Sequence, residues 1–339
     1  MIITRAPFRV TLAGGGTDLP SFYSKEGGLV ATMAIDKYIY LNFKPNILDE
    51  KVRLQYLKVE HVDNCSQLKH TRARESLKKH RLMHSVEISS MADLPSKAGL
   101  GSSGSYLVAL LTAIRSYKRL SCEPEVIANE ACEIEIDVLK EPVGKQDQYI
   151  SSYGGIRVLD ISRDGNVKVR DIKISTSTFN DFLSHVHVYH IGTYRNASDI
   201  LKVQNKAGDN VMDKLKKIKE LGYKFLDAIE TQNFDDYGLL LNEHWENKKK
   251  MSSSISLPHI DILYEEVKER FGVLGGKIIG AGGGGFLMLY APSKHLQLEE
   301  HMNSLGMKRL HYCVDYQGSK ILLNSFNSHE RQVDHDILF

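Results

Sequence analysis

The chain has 339 residues, more than one hydrophobic core usually serves, and this length predicts two domains. With 25% charged and 42% hydrophobic residues, and 44 Lys+Arg against 42 Asp+Glu, the composition is that of an ordinary globular enzyme without an electrostatic reason to bind nucleic acid. The four cysteines are scattered and no apolar run reaches about 18 residues, so we expect a cytoplasmic protein with reduced thiols and no membrane span.

Alternating or β-branched runs predict strands along much of the chain. In chain order they are 2–6, 8–12, 29–43, 86–90, 156–159, 167–174, 185–191 and the two sides of the glycine run at 280–285. Apolar residues at helical spacing predict helices at 105–120, 125–139, 197–205, 211–231, 237–250 and 260–271. Because strands and helices alternate irregularly, the pattern favours an α+β fold. The strand at 185–191 begins the second domain, which places the boundary between residues 182 and 183.

Three charged or polar stretches predict exposed structure. Residues 52–84 are rich in lysine with sparse leucines, and they predict a mostly helical, exposed segment. The lysine run 248–250 predicts a solvated helix end, because cations favour helix C-termini. The polar tail 324–339 predicts a loosely ordered terminus.

A loop of small residues at 95–105 leads directly into the apolar segment 106–114. Glycines let backbone N–H groups face a ligand, and a helix that begins just after them adds its positive end. Ser102 and Ser103 offer hydroxyl ligands for a Mg²⁺ ion held between phosphates. The loop has neither a P-loop ending nor a G-x-G-x-x-G pattern. It predicts a nucleotide phosphate site, and a glycine turn that merely precedes a helix is the alternative.

Three glycine-rich loops lie far apart in the sequence, at 14–16, 99–104 and 280–285. Their order and spacing resemble the GHMP small-molecule kinases, the superfamily of galactokinase, homoserine kinase and mevalonate kinase. The resemblance covers nearly the whole chain. It implies a two-domain kinase fold, with an N-terminal domain (1–182) like ribosomal protein S5 domain 2 and a ferredoxin-like C-terminal domain (183–339). The active site is expected between the two domains.

The first loop narrows the resemblance. Galactokinases carry a Glu-His pair where this chain has Gly15 and Gly16, which argues against galactose. The segments 14–20, 144–149 and 192–195 most resemble the heptose 7-phosphate kinases of the superfamily. That resemblance implies phosphorylation of the anomeric hydroxyl to give a 1,7-bisphosphate, on the route to nucleotide-activated heptose for surface polysaccharide. A kinase for an unphosphorylated sugar such as fucose or glucuronate, or a non-catalytic sensor of the same fold, is the alternative.

The resemblance also assigns the catalytic and metal roles. Asp147 matches the family's catalytic carboxylate, which can take the proton of the attacking hydroxyl, and Arg9 matches the cation that neutralises the transferring phosphoryl group. Glu135 matches the carboxylate that binds Mg²⁺ together with Ser103, with Glu133 as its rival and Glu130 as a weaker one. The residues expected to hold ATP are Lys97, Gly99, Leu100, Gly101, Ser102, Ser103, Gly104 and Ser105.

The substrate of the implied reaction is a small sugar phosphate. The residues expected to contact it are Asp18, which would accept a sugar hydroxyl, and Gly15, Gly16, Thr17, Gly283 and Gly284. Arg195 is the first choice for the substrate's own phosphate, and Lys145 is the second. Trp245 and the histidines at 185, 187 and 190 are expected to have packing roles. The sequence leaves a homodimer open.

Overall fold

A computed structural model describes residues 1–96, 98–192, 209–252, 255–280, 282 and 284–326 of the chain. Its helices are α1 (Pro20–Glu26), α2 (Thr71–Lys79), α3 (Ser102–Tyr117), α4 (Pro124–Cys132), α5 (Gln146–Tyr153), α6 (Thr176–Ser184), α7 (Asp209–Glu230), α8 (Phe234–Lys249), α9 (Pro258–Phe271) and α10 (His295–Ser304). Its strands are β1 (Ile2–Ala13), β2 (Gly28–Pro45), β3 (Val52–Gln55), β4 (Val59–Val62), β5 (Val86–Ala92), β6 (Ile156–Ile161), β7 (Val167–Asp171), β8 (Val186–His190), β9 (Gly275–Ile278), β10 (Phe286–Tyr290) and β11 (Lys320–Asn324). A 3₁₀ turn covers Cys65–Gln67 and a π-helical turn covers Glu133–Val138.

The strands form two sheets. The first sheet runs in the order β11-β1-β2-β5-β3-β4, and β6 and β7 extend it from the other half of β2. The strand β2 can serve two neighbours because it is 18 residues long: Gly28 to Met33 pair with β6, whereas Ile39 to Pro45 pair with β5. The second sheet is antiparallel, in the order β8-β10-β9. Mixed sheets with irregularly placed helices confirm the predicted α+β class.

The first strand is continuous, so the prediction of two strands separated by Pro7 is wrong. Pro7 lies opposite Tyr38, and the pairing register with β2 shifts between Pro7 and Phe8. Proline has no N–H to donate to a neighbouring strand, and an irregularity in the pairing accommodates it without ending the strand. The result is a 12-residue strand that crosses the sheet and ends at Ala13, directly before the first glycine loop.

The prediction of a mostly helical segment at 52–84 is also wrong. The strands β3 and β4 form a hairpin, and only α2 within the segment is an α-helix. Val52 and Leu54 are fully buried because β3 pairs in parallel with β5 and faces the core. Tertiary pairing overrides the weak local preference of a charged segment.

The C-terminal segment returns to the first sheet. Strand β11 pairs antiparallel with β1, so residues that the sequence assigns to the second domain complete the N-terminal sheet. The strand β11 therefore follows the proposed boundary between residues 182 and 183 in the sequence but belongs to the sheet that precedes it. Of the tail predicted to be loosely ordered, residues 324–326 lie within the described chain and 327–339 lie outside it.

One hydrophobic cluster joins the two sheets. It contains Phe8 and Val10 of β1, Tyr237 and Leu241 of α8, and Met288 of β10, all 1% exposed or less. Because the two sheets share this core, the end of β1, the helix α8 and the glycine hairpin before β10 hold fixed positions relative to one another. These are the elements that surround the cavity described below.

The remaining expectations about the chain's interior can be checked directly. All four cysteines are free thiols, as predicted. Trp245 is fully buried in the cluster around the second sheet, which confirms its packing role. No helix in the described ranges is long and apolar enough to cross a membrane.

Close packing of α8 on β9 leads to a prediction for Gly275. A Cβ atom at this position would overlap the Gly238 carbonyl and lie 2.7 Å from the Asn242 backbone nitrogen, both in α8. We expect Gly275→Ala to lower the free energy of unfolding by about 1–3 kcal/mol, because backbone atoms cannot move aside as a side chain can. Urea unfolding measures the change. The control is Gly222→Ala in α7, where the atom nearest to the new methyl group would be the terminal Cδ2 of the Leu29 side chain at 3.1 Å, and the nearest backbone atom would be at 3.8 Å. A loss for the control equal to that for Gly275→Ala would contradict the argument.

Candidate active site

The three glycine loops meet at one cavity of about 820 Å³. Its walls include Gly15 and Gly16 of the first loop, Gly99 and Gly101 of the second, and Gly280 of the third. The second and third loops pack directly on each other, since a Cβ on Gly280 would lie 2.7 Å from the Gly99 carbonyl oxygen. Both glycines have φ near +80°, a conformation that suits residues without a Cβ. The close approach explains why two distant sequence positions both require glycine.

Arg9 links three parts of this site. Its Nε donates to Asp147 Oδ1 at 2.7 Å and its Nη1 donates to the Gly99 carbonyl at 2.5 Å. Its backbone N–H donates to the Leu100 carbonyl at 3.0 Å. The residue is 4% exposed, so these contacts fix β1, the second loop and the start of α5 in one arrangement. The two residues predicted to be catalytic therefore lie side by side in the cavity wall.

The second loop presents the start of α3 to the cavity. Gly101 is the N-cap residue with φ 85°, and no side chain caps the helix. The N–H groups of the first turn have no acceptor within the helix, so this end suits an anion. Ser102 and Ser103 line the cavity, and neither hydroxyl hydrogen-bonds to another described residue. Gly99, Gly101, Ser102 and Ser103 are thus the predicted ATP-contacting residues that reach the cavity.

The other four residues predicted to hold ATP do not line the cavity or are not described. Ser105 is fully buried, and its hydroxyl donates to the Pro7 carbonyl at 2.8 Å, so it ties α3 to β1 and does not face the cavity. The Leu100 side chain lies in the shared core. Gly104 packs against Asp147 in the first turn of α3, so a contact of its backbone N–H with ATP stays a prediction. Lys97 lies outside the described residues.

Glu135 is held below the cavity wall by the π-helical turn that replaces the end of the predicted helix 125–139. Its carboxylate accepts from Arg72 Nε at 2.6 Å and from Gln148 Nε2, and it is fully buried. Burial raises the pKa of Glu135, and the Arg72 guanidinium opposes that rise. Its rivals point elsewhere: Glu133 pairs with Lys79 at 2.6 Å and Glu130 with His80 at 2.6 Å.

The first loop places Asp18 in the cavity wall, next to the start of α5 that carries Asp147. Asp18 is 1% exposed, its Oδ1 accepts from the Gly16 amide at 3.1 Å, and its Oδ2 accepts from the Gln146 amide at 3.1 Å. Burial raises the pKa of Asp18, and the Gln146 hydrogen bond acts against it. Thr17 is a correction: its buried hydroxyl donates to the carbonyls of Gly14 and Leu29, both at 2.8 Å, and it holds the loop rather than a ligand.

Of the cations predicted to hold the substrate phosphate, Lys145 is the one that the structure describes, and it is not among the cavity residues. Lys145 donates to the Gly165 carbonyl at 2.5 Å and lies over the Tyr23 ring, so it points away from the cavity. Arg195 and Gly283 lie outside the described residues. Gly284 is buried and does not line the cavity, where Gly280 takes its place.

Three buried basic residues that the sequence did not single out do line the cavity: His244, Lys248 and Lys277. Lys248 is 7% exposed and donates to the Gly280 carbonyl at 2.5 Å, so the prediction of a solvated helix end is wrong at this residue. Helical spacing could have identified Lys248 as a buried residue, because it lies on the same face of α8 as Tyr237, Leu241 and His244. Lys277 is 3% exposed and donates to the Leu12 carbonyl at 3.0 Å.

Burial changes the protonation of these groups. It lowers the pKa of Lys248 to about 8, and the nearby Arg9 guanidinium adds to the effect. It lowers the pKa of Lys277 well below its ordinary value, with further contributions from Lys248 and Arg9. It also lowers the pKa of His244. The causes of all three shifts are burial and neighbouring cations, and no carboxylate of the described residues offsets them.

An aromatic wall lines the far end of the cavity. The ring centroids of Tyr56 and His70 lie 4.8 Å apart, and those of His70 and Tyr106 lie 4.6 Å apart. Burial lowers the pKa of His70 to about 4, so this wall is uncharged at neutral pH. Ile39 and Met91 complete an apolar surface that suits a planar ring.

Sequence models of two domains match the chain: GHMP kinases N terminal domain over residues 69–155 and GHMP kinases C terminal over residues 225–302. The D-glycero-alpha-D-manno-heptose 7-phosphate kinase of Campylobacter jejuni subsp. jejuni serotype O:2 is 28% identical over 94% of this chain and 97% of its own length. The L-fucokinase/L-fucose-1-P guanylyltransferase of Bacteroides fragilis is 25% identical over 85% of this chain, which spans 34% of that longer protein.

Solved structures show the same fold. The crystal structure of a D-glycero-D-manno-heptose 1-phosphate kinase from Bacteroides thetaiotaomicron superposes with a TM-score of 0.78 at 22% identity. The superposition covers 96% of this chain and 99% of that one.

The low pKa of Lys248 predicts that the residue costs stability. The folded state releases this proton near pH 8 and the unfolded state near 10.5, so the cost is complete below pH 8 and disappears as the pH rises toward 10.5. We expect Lys248→Met to raise the free energy of unfolding at pH 7 by about 1–3 kcal/mol. The advantage of the variant should shrink at pH 9.5. The Arg9 guanidinium of β1 faces the same ammonium and adds to this cost, whereas Lys277 of β9 and His244 of α8 have their own pKa values lowered by Lys248.

Urea unfolding at both pH values tests this expectation. Lys250→Met is the control, since Lys250 is exposed at the end of the same helix and its removal should change stability by less than about 0.5 kcal/mol. A loss of stability for Lys248→Met at pH 7 would show that the ammonium is better solvated than its burial suggests.

Proposed function

The chain belongs to the GHMP kinases, and from that premise we propose that it transfers the γ-phosphoryl group of ATP to the anomeric hydroxyl of D-glycero-D-manno-heptose 7-phosphate. The product is the 1,7-bisphosphate, an intermediate toward nucleotide-activated heptose. The observation that carries the proposal is the Arg9–Asp147 pair, which lies in one cavity with the uncapped start of α3 and the Asp18 loop. Similarity to a heptose 7-phosphate kinase over nearly the full length of both chains supports the choice of sugar.

Asp147 is placed to act on the acceptor. Its carboxylate would accept the proton of the sugar hydroxyl while that oxygen forms its bond to the γ-phosphorus and the bond from the γ-phosphorus to the bridging oxygen of ADP breaks. The Arg9 guanidinium would stabilise negative charge on the transferring group and keep the carboxylate in position through the 2.7 Å hydrogen bond. Asp18, which accepts from the amide of the neighbouring Gln146, would accept a hydrogen bond from another sugar hydroxyl.

ATP fits the remaining walls. Its phosphates would bind at the first turn of α3, where free N–H groups and the helix dipole favour an anion. Its adenine would lie against the aromatic wall formed by Tyr56, His70 and Tyr106. The buried hydroxyl of Tyr106 has no hydrogen-bond partner among the described residues, and a base nitrogen could supply one.

The oxygen donors present suit Mg²⁺. Ser103 offers a free hydroxyl at the cavity wall and Glu135 a carboxylate behind it, and both are ligands that this ion prefers. Within the described ranges no three acidic, histidine or cysteine side chains form a metal cage of their own. Most of the coordination would therefore come from phosphate oxygens and water, as is usual for Mg²⁺ bound with a nucleotide. The ion would neutralise phosphate charge.

A kinase for an unphosphorylated sugar is the second candidate, because the chain also resembles an L-fucokinase over 85% of its length. A non-catalytic sensor of the same fold is less well supported, since Arg9 and Asp147 are both present and paired. A coupled assay of ADP release with heptose 7-phosphate, heptose, fucose and glucuronate separates the candidates. We expect the highest kcat/KM for heptose 7-phosphate. Equal use of the unphosphorylated heptose would refute the sugar-phosphate assignment.

Replacing the proposed base should stop the chemical step. We expect Asp147→Asn to lower kcat by about 10²–10⁴, because the amide cannot accept the hydroxyl proton. The dissociation constant of a non-hydrolysable ATP analogue, measured by calorimetry, should stay nearly unchanged, because the amide keeps the size of the carboxylate that packs on Gly101 and Gly104 at the start of α3. A near-normal kcat would remove Asp147 from the mechanism.

Replacing the proposed metal ligands should change the dependence on Mg²⁺. We expect Ser103→Ala and Glu135→Gln to raise the Mg²⁺ concentration needed for half-maximal activity at saturating ATP, while the KM for the sugar changes little. Glu133→Gln is the matched control, since Glu133 pairs with Lys79 at the surface. A shift in the control alone would transfer the metal role to Glu133.

A further inference from the structure

Two lysines in the cavity wall have no acidic partner. Neither Lys248 nor Lys277 forms an ion pair with any carboxylate in the described part of the chain, although both are more than nine-tenths buried. Each ammonium has three protons and donates one hydrogen bond to a described residue: Lys248 to the Gly280 carbonyl and Lys277 to the Leu12 carbonyl. A buried charge without a counter-ion is costly, and proteins retain such a group where a ligand supplies the opposite charge.

A third buried group points into the same space. His244 is 1% exposed, and both of its ring nitrogens lack a hydrogen-bond partner among the described residues. It lies one helical turn before Lys248 on α8 and lines the cavity with it. An unpaired buried N–H group destabilises the folded state, and a ligand oxygen that accepts its hydrogen bond would remove that cost. Donors from α8 and β9 thus converge from two directions, which suits a group with several acceptor oxygens.

The cluster borders the first glycine loop and also lies near Arg9, whose guanidinium lowers the pKa of both lysines. Lys277 bonds to Leu12, which stands two residues before Gly14 at the start of the acceptor loop. Leu215 of α7, another wall residue, would meet a Cβ on Gly16 at 3.2 Å, so the helices that follow the second domain's first strand form the wall opposite that loop. The phosphates of ATP have their own donors at the start of α3.

We propose that Lys248, Lys277 and His244 form a subsite for a phosphate dianion, the phosphate group that the acceptor sugar itself carries. The inference rests on the proposed function for its choice of acceptor. The two ammonium groups match the double negative charge, and His244 supplies an orienting hydrogen bond. Bound phosphate supplies the counter-charge that the free cavity lacks. This cluster, rather than Lys145, then selects a sugar phosphate over the free sugar.

The test compares Lys248→Met and Lys277→Met with the wild type and with the exposed control Lys250→Met. Calorimetry gives dissociation constants for heptose 7-phosphate, for unphosphorylated heptose and for a non-hydrolysable ATP analogue. We expect both cavity variants to weaken heptose 7-phosphate binding by about tenfold or more, as the loss of a charge-assisted contact does. Binding of the other two ligands and all values for the control should change less than about twofold. Lys248→Arg keeps the charge and should retain most of the affinity.

Two results would overturn the proposal: weaker binding of the ATP analogue alone, which would assign the cations to the γ-phosphate, or unchanged binding of every ligand. If one of the methionine variants does not fold, the other methionine variant and Lys248→Arg still test the proposal. A ³¹P NMR titration with inorganic phosphate separates this inference from the proposed function. If the wild type phosphorylates no heptose phosphate but binds inorganic phosphate at least about tenfold more tightly than Lys248→Met does, the subsite stands and the substrate assignment fails. Equal phosphate binding by the two proteins refutes the subsite.

Discussion

The Arg9 guanidinium is the contact on which the geometry of the cavity depends. It is buried, it donates to Asp147 and to the Gly99 carbonyl, and it belongs to the strand that leads into the acceptor loop. A planar group with fixed donor directions can hold two partners at a set angle, which a lysine could not do. The carboxylate and the start of α3 thereby keep their relative positions before any ligand binds, and preorganised charge of this kind is what phosphoryl transfer requires.

The cavity concentrates charges that the fold would not retain for stability alone. Asp18, Glu135, Lys248 and Lys277 are all more than nine-tenths buried, and burial shifts the pKa of each toward its neutral form. The hydrophobic core shared by the two sheets offsets this cost and fixes the walls. Ligands that bring phosphate or hydroxyl groups would stabilise the folded protein further, because they bind the folded state and not the unfolded chain. The same buried charges thus lower the stability of the ligand-free protein and are available to bind ligands.

The two sides of the cavity have different origins. The first sheet, α3 and α5 supply the reacting pair and the anion-binding helix end, whereas α7, α8 and β9 supply Leu215, His244, Lys248 and Lys277. Gly15 and Gly16 contribute no side chains to the acceptor wall, so the helices opposite them provide its chemical character. Substitutions in α7 and α8 would alter this wall without replacing Arg9 of β1 or Asp147 of α5.

The sequence by itself determined the α+β class and the three glycine loops, because glycine spacing and local periodicity depend on short-range geometry. The roles of Arg9 and Asp147 were implied by the resemblance to the GHMP kinases, and the tertiary structure brings the two side chains into contact at 2.7 Å. It did not reveal the β3–β4 hairpin or the return of β11 to the first sheet, since those strands are stabilised by distant partners. It assigned Ser105, Thr17 and Lys145 to ligands, whereas tertiary contacts direct them to Pro7, Leu29 and Gly165. Lys248 looked like a solvent-facing lysine in a charged run, and only the packing of α8 on β9 turned it inward. The contacts and the protonation of a charged side chain depend on the groups around it, and the tertiary structure brings those groups together from distant parts of the chain.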